Sequence, residues 1–196
     1  MTTVSTKTKT ITGMAVLTAV VVVLQVLAAV LPPIGVFRIN LVLAPIIVGA
    51  ALYGCWAGGF LGFVFGVVVL LTDAGVFLGI NVLGTIVTCL LKGIFSGMTA
   101  GAVYRLAART NATVATILGG ICAAVVNTGV FLLGCRVFFY DTMLAWGQEA
   151  GFDNVWLYML VGFVGLNFLV ELGVNLVLSS VTTRIVIMRK KTEENS

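Results

Sequence analysis

Residues 81–101 read NVLGTIVTCLLKGIFSGMTAG, an apolar run broken by one charge, Lys92. Polar residues recur at Asn81, Thr85, Thr88, Lys92, Ser96 and Thr99, in steps of four, three, four, four and three. This is helical spacing, and it draws a polar stripe about 27 Å long on one face. Beside it run Gly93, Gly97 and Gly101, a ladder of small residues that lets another helix come close. A helix that is apolar elsewhere and polar along one line belongs inside a membrane bundle, its polar face turned from lipid. The stretch decides for a helical membrane protein.

The rest of the chain agrees. Of 196 residues 60% are hydrophobic and 9% charged, against roughly 25% charged in an ordinary soluble domain. That few charges cannot cover a soluble surface. A barrel would show alternating strands of about ten residues, whereas the apolar runs here are long and continuous. The pattern predicts one all-α transmembrane domain over residues 1–196, a six-helix bundle with helices at about 11–31, 39–53, 56–71, 77–107, 112–139 and 156–188. Residues 39–71 as one helix would reach about 50 Å, too long for a hydrocarbon core of about 30 Å. A hairpin is therefore placed at Tyr53-Gly54-Cys55-Trp56.

Charge sets the orientation. Lys7, Lys9, Arg105, Arg109, Arg184, Arg189, Lys190 and Lys191 all fall on one side of such a bundle. The connection at 140–155 carries Asp141, Glu149 and Asp153 and no base. Basic loops stay in the cytoplasm, so both termini are expected there.

Several chemistries are excluded. The chain has no histidine, which removes Ser-His and Cys-His nucleophile pairs and His-ligated metals. No G-x-x-x-x-G-K-[ST] loop is present, so ATP is not bound in that manner. Cys55, Cys89, Cys122 and Cys135 sit in apolar runs without a C-x-x-C pair and read as buried free thiols. No catalytic residue, metal, resident cofactor or nucleic-acid partner is expected; the chain reads as a non-enzyme.

The polar residues left within the spans carry the candidate chemistry. Asn167, Glu171 and Asn175 lie at i, i+4 and i+8 on one helical face. Glu171 and Lys92 fall at similar depth, which predicts either a structural ion pair between helices or a substrate or proton site. Arg38 and Arg136 lie at the other end from the basic loops, where charge distribution gives no reason for them. Asn40, Asp73, Asn81 and Tyr140 are at comparable depth. Together these six predict an outward pocket for an anionic or mixed-charge ligand, because the planar guanidinium suits carboxylate and phosphate. Headgroup contact by the two arginines is the alternative. Asn127 is a further candidate, but it lies nine residues from Arg136, on roughly the opposite helix face. The 140–155 connection, with Trp146, Phe152 and Trp156, is long enough to close over such a pocket.

Certain segments have a familiar order. Ala15-Val16-Leu17-Thr18-Ala19 follows a short basic tail. Then come Arg38-Ile39-Asn40-Leu41-Val42-Leu43-Ala44-Pro45-Ile46-Ile47-Val48-Gly49-Ala50 and Gly58-Gly59-Phe60-Leu61-Gly62-Phe63-Val64-Phe65-Gly66. Leu91-Lys92-Gly93-Ile94-Phe95-Ser96-Gly97-Met98-Thr99-Ala100-Gly101 precedes Tyr104-Arg105. From residue 11 to about 185 the chain resembles the substrate-binding S components of energy-coupling factor (ECF) vitamin transporters. The resemblance implies a multi-pass protein of the bacterial cytoplasmic membrane that captures a vitamin outside. It implies a transmembrane coupling protein and two cytoplasmic ATPases as partners, with ATP used only by the latter. The A-x-x-x-A face, here Ala15 and Ala19, would meet the coupling protein. The stretch from Arg38 to Gly66 looks most like the group with pantothenate and folate binders. A structural scaffold and a stand-alone secondary transporter are the competing readings. A scaffold would not need the arginines or the polar stripe; a secondary transporter would show inverted repeats with broken helices.

Overall fold

A computed structural model describes residues 6–30, 41–109 and 111–194. Arg38 and Asn40 lie outside the described residues. Among the described residues all regular structure is helical: α1 (Thr6–Val30), α2 (Leu43–Tyr53), α3 (Cys55–Thr72), α4 (Gly75–Leu78), α5 (Val82–Ala107), α6 (Ala112–Phe138), α7 (Tyr140–Glu149), α8 (Val155–Leu157), a π-helical stretch (Tyr158–Phe163) and α9 (Gly165–Glu194). Among the described residues, five helical stretches are long and apolar enough to cross a membrane: Lys7–Val30, Cys55–Thr72, Val82–Ala107, Ala112–Phe138 and Asn167–Arg189. The 11-residue α2 is apolar but shorter, about 16 Å and so about half a hydrocarbon core.

The central seam joins α3 and α5. Gly58 lies against the Gly97 carbonyl, Gly62 against that of Gly93, and Gly66 against that of Cys89. The pairs step by four residues in opposite directions, so the two glycine ladders of the sequence face each other across an antiparallel crossing. A Cβ on Gly62 would overlap the partner backbone, so only glycine allows this approach. Gly54 turns the chain from α2 into α3 at φ 94°, a left-handed value costly for any residue with a Cβ.

The second antiparallel contact joins α5 to α6. The Ser96 hydroxyl donates to the Ala123 carbonyl at 2.9 Å, and Gly134 makes room for Thr88. Ser96 thus spends its polarity on packing. Helix α1 lies at the rim: among its described side chains only Val21 and Gln25 are buried, and Ala15 and Ala19 are exposed.

The bundle has two chemically distinct ends. Lys7, Lys9, Arg105, Arg109, Arg184, Arg189 and Lys191 gather at the end marked by the Gly54 turn, the basic end. Asp141, Glu149 and Asp153 lie at the other, the acidic end. Here the chain departs from long uniform helices. A helix from residue 77 onward is expected from hydropathy, yet α4 stops at Leu78 and α5 starts at Val82. The reason is Asn81: its extended backbone ends the helix, and its Oδ1 accepts the Gly84 N–H at 2.9 Å as an N-cap. The 140–155 connection is itself helical, with α7 turning Met143 and Gly147 inward.

Candidate functional site

The acidic half of the bundle encloses a cavity of about 660 Å³, within the range of small-molecule sites. Its apolar wall comes from Phe65, Phe77, Phe131, Phe139, Phe163 and Phe168. Phe77 of α4 is the hub. Its ring meets Phe139 at 5.0 Å, Phe131 at 5.9 Å and Phe163 at 6.3 Å, all near edge-to-face. From outside the cavity, Trp146 of α7 packs on Phe77 at 6.1 Å and on Phe163 at 6.2 Å. Helix α7 therefore backs the acidic-end wall.

The π-helical stretch gives this wall its shape. The wider turn closes with the Val164 N–H donating to the Met159 carbonyl at 3.2 Å. Gly165 then lies so near the Leu160 carbonyl that a Cβ would come within 2.5 Å. Gly162, Phe163 and Val164, beside this irregular turn, line the cavity; π-bulges recur at functional sites.

Polar groups enter from four long helices. From α5 come Thr85, Thr88 and Lys92. The Lys92 ammonium lies 5.1 Å from the Phe131 ring centre and 5.7 Å from that of Phe65, a cation–π setting. From α9 come Asn167 and Glu171, and from α6 Asn127 and Thr128. Glu171 is buried and accepts from Asn127 Nδ2 at 3.5 Å. From α1 comes Gln25, whose Nε2 donates at 2.5 Å to Oδ2 of Asp73, the residue that caps the end of α3. Asn175, one turn beyond Glu171 toward the basic end, is also buried, and neither pole of its amide is hydrogen-bonded within the protein.

The structure thus sorts the residues singled out in the sequence. Lys92, Glu171 and Asp73 share the cavity. Lys92 and Glu171 face it without forming a direct ion pair: phenyl rings flank the ammonium, and the Asn127 amide lies against the carboxylate. Asn81 caps α5 outside the lining. Arg136 is exposed, with its guanidinium 4.2 Å from the Tyr140 ring centre and 5.8 Å from that of Trp156. Neither Arg136 nor Tyr140 lines the cavity, because Asn127 does, and a nine-residue offset turns Arg136 to the other face of α6. Gln25 and the phenylalanine wall escaped the sequence reading. A single glutamine in a 25-residue apolar helix has no periodicity to betray it.

The cavity is aromatic on most sides and carries an ammonium and a buried carboxylate from different helices, and its size is that of a small-molecule site. No curated protein and no solved structure matches the chain. The sequence pattern of the family described as "ECF transporter, substrate-specific component" matches residues 9–182. The chain belongs to that family of multi-pass membrane transport components.

Proposed function

We propose that the chain is the substrate-capture subunit of an ECF-type importer in the bacterial cytoplasmic membrane, binding a vitamin or related micronutrient in the acidic-half cavity. The observation that carries this reading is the cavity itself, with Lys92 and Glu171 turned toward it rather than paired with each other. A scaffold protein has no use for charges so placed, since each costs at least about 2.5–3.5 kcal/mol within the hydrocarbon. The gathering of bases at one end supports cytoplasmic termini and an outward-facing cavity. With α2 counted beside the five long helices, the spans number the six expected.

In this reading Lys92 meets an anionic group of the ligand, pantothenate- or folate-like in character, and the phenylalanines hold its apolar or aromatic body. Arg38 and Asn40, in the segment between α1 and α2, are candidates for further contacts; Arg136 and Tyr140 serve as an interfacial anchor. Ala15 and Ala19 are the surface for the coupling protein, and ATP is used by the two ATPases alone. Their exposure on the least buried of the long helices supports this.

The test is mass spectrometry of small molecules released from the purified chain, compared with Thr128→Trp, which places an indole in the cavity. A micronutrient released by the wild type and absent from the folded variant is expected; equal release from both would remove the cavity as the site. For the partner surface, Ala15→Leu with Ala19→Leu is expected to abolish uptake by the full complex. Ligand binding by the isolated subunit stays unchanged, with stability within about 0.5 kcal/mol. Loss of binding and folding together would make that face internal packing.

A further inference from the structure

Each of two carboxylates in the cavity fixes the direction of an amide. A carboxylate can only accept hydrogen bonds. The amide of Gln25 therefore turns its nitrogen to Asp73, and that of Asn127 turns its nitrogen to Glu171. Both amide oxygens are left as acceptors, and neither Gln25 Oε1 nor Asn127 Oδ1 makes a hydrogen bond within the protein. These residues are not at a wet surface: Gln25 is 3% exposed, Asn127 7% and Glu171 5%. An acceptor buried without a donor costs about 1–3 kcal/mol, and all three residues line the same cavity.

The two unpaired acceptors come from different helices, α1 and α6, and no one packing contact explains both. Swapping the amide poles would not relieve them, because an amide oxygen would then face a carboxylate. Within the protein these two oxygens meet no donor, although Lys92 and the Thr88 hydroxyl line the same cavity, and a ligand is a natural source. An ionised oxygen acid offers none, whereas a hydroxyl or an N–H does. Of the two, a cationic N–H facing a carboxylate has charge on both partners and gives the stronger bond.

We infer that the cavity selects its ligand by N–H donors, as on an ammonium, amidine or amino-heterocycle, presented to Gln25, Asn127 and Glu171, with the ligand's anionic group at Lys92. This rests on the reading of the cavity as the capture site, and it narrows the substrate class to compounds that carry both an anion and a nitrogen donor.

Three probes separate the contributions: 4-(aminomethyl)benzoate, its N,N,N-trimethyl analogue, and benzoate. All share the ring and carboxylate. The second keeps the positive charge but has no N–H, and the third lacks the nitrogen. Affinities for the purified full chain in nanodiscs are measured by ligand-detected NMR titration. The aminomethyl compound is expected to bind at least about tenfold more tightly than either other probe, as for one charge-assisted bond. Asn127→Leu and Glu171→Gln, each checked for folding by its unfolding transition, are expected to shrink that gap. Should Asn127→Leu fail to fold, Glu171→Gln alone carries the comparison. Equal binding of the aminomethyl and trimethyl probes to the wild type would overturn the inference while leaving the capture site standing. Unchanged binding of all three to folded Thr128→Trp would instead overturn the capture site. Absence of binding by every probe would overturn both.

Discussion

Helix α5 presents two faces that solve opposite problems. Toward α3 it offers Gly93, Gly97 and Gly101, which bring the two backbones into contact with almost no side chain between them. Toward the cavity it offers Thr85, Thr88 and Lys92, set among large aromatic rings. In lipid, helix association gains little from apolar burial, so close packing of small residues must fix the bundle. Once the seam is fixed, the other face is free to hold polar groups that weaken packing but serve a ligand. In the proposed reading, rigidity and recognition are carried by the same helix on different sides.

The sharpest way to break this division is to load the seam. Gly62→Val places a branched side chain where even a Cβ overlaps the Gly93 carbonyl. Overpacking of side chains costs typically 1–3 kcal/mol; here the obstacle is backbone, and a loss of at least about 3 kcal/mol is expected. Thermal unfolding in detergent reads it. A variant as stable as the wild type would mean that α3 and α5 are not held by this contact.

Lys92→Ala tests the other face. Loss of a hydrogen bond to a charged group, about 1.5–3 kcal/mol, predicts roughly a 10- to 150-fold drop in affinity for 4-(aminomethyl)benzoate. The unfolding midpoint should move far less than in Gly62→Val. A variant that unfolds like the glycine mutant yet binds normally would reverse the two roles.

Between recognition and closure lies Trp146. It packs behind Phe77 and Phe163 without lining the cavity. Aromatic pairs contribute about 0.5–1.5 kcal/mol each, so Trp146→Ala should speed ligand release by roughly 2- to 13-fold while leaving every lining residue in place. Dissociation measured after dilution checks it. An unchanged rate would detach α7 from ligand retention.

The α5 faces explain what the sequence could and could not tell. Glycines at four-residue spacing and a polar stripe at helical spacing are local signals, so both faces of α5 were readable, as was the break at Gly54. That Gly58, Gly62 and Gly66 are the partners of the α5 ladder was not readable, because spacing carries no partner identity. The short helices at the acidic end were hidden for another reason. Hydropathy does not separate α4 from α5; a single capping side chain, Asn81, does. In the site, Lys92 and Glu171 stood out because charge is rare in apolar runs. Gln25, Phe77 and Phe163 did not, since one amide and scattered rings are ordinary in such a chain. Arg136 misled through its position along the membrane. Charge distribution speaks only to position along the helix, whereas helical phase decides which neighbours a side chain meets.

Arg136 supplies the smallest expected effect and the finest test of the comparison, because it shares α6 with Asn127 but faces away from the cavity. The guanidinium lies over Tyr140 at 4.2 Å with Trp156 near by, and at an exposed site such a contact contributes about 0.5–1 kcal/mol. Arg136→Ala should therefore lower stability by about that amount, with affinity for 4-(aminomethyl)benzoate unchanged. Arg136→Lys should recover part of the stability, since an ammonium keeps the cation–π attraction but loses the planar stacking. The measurements are paired: unfolding in detergent and NMR titration on the same preparations. A tenfold loss of affinity in Arg136→Ala, with Lys92→Ala unaffected, would move the anion site from the cavity to the rim. It would also make Arg136 and Tyr140 ligand contacts after all. The opposite pattern leaves Arg136 as the anchor that holds the start of α7 at the membrane surface. Depth along a helix and direction around it would then have separate consequences on one element, nine residues apart.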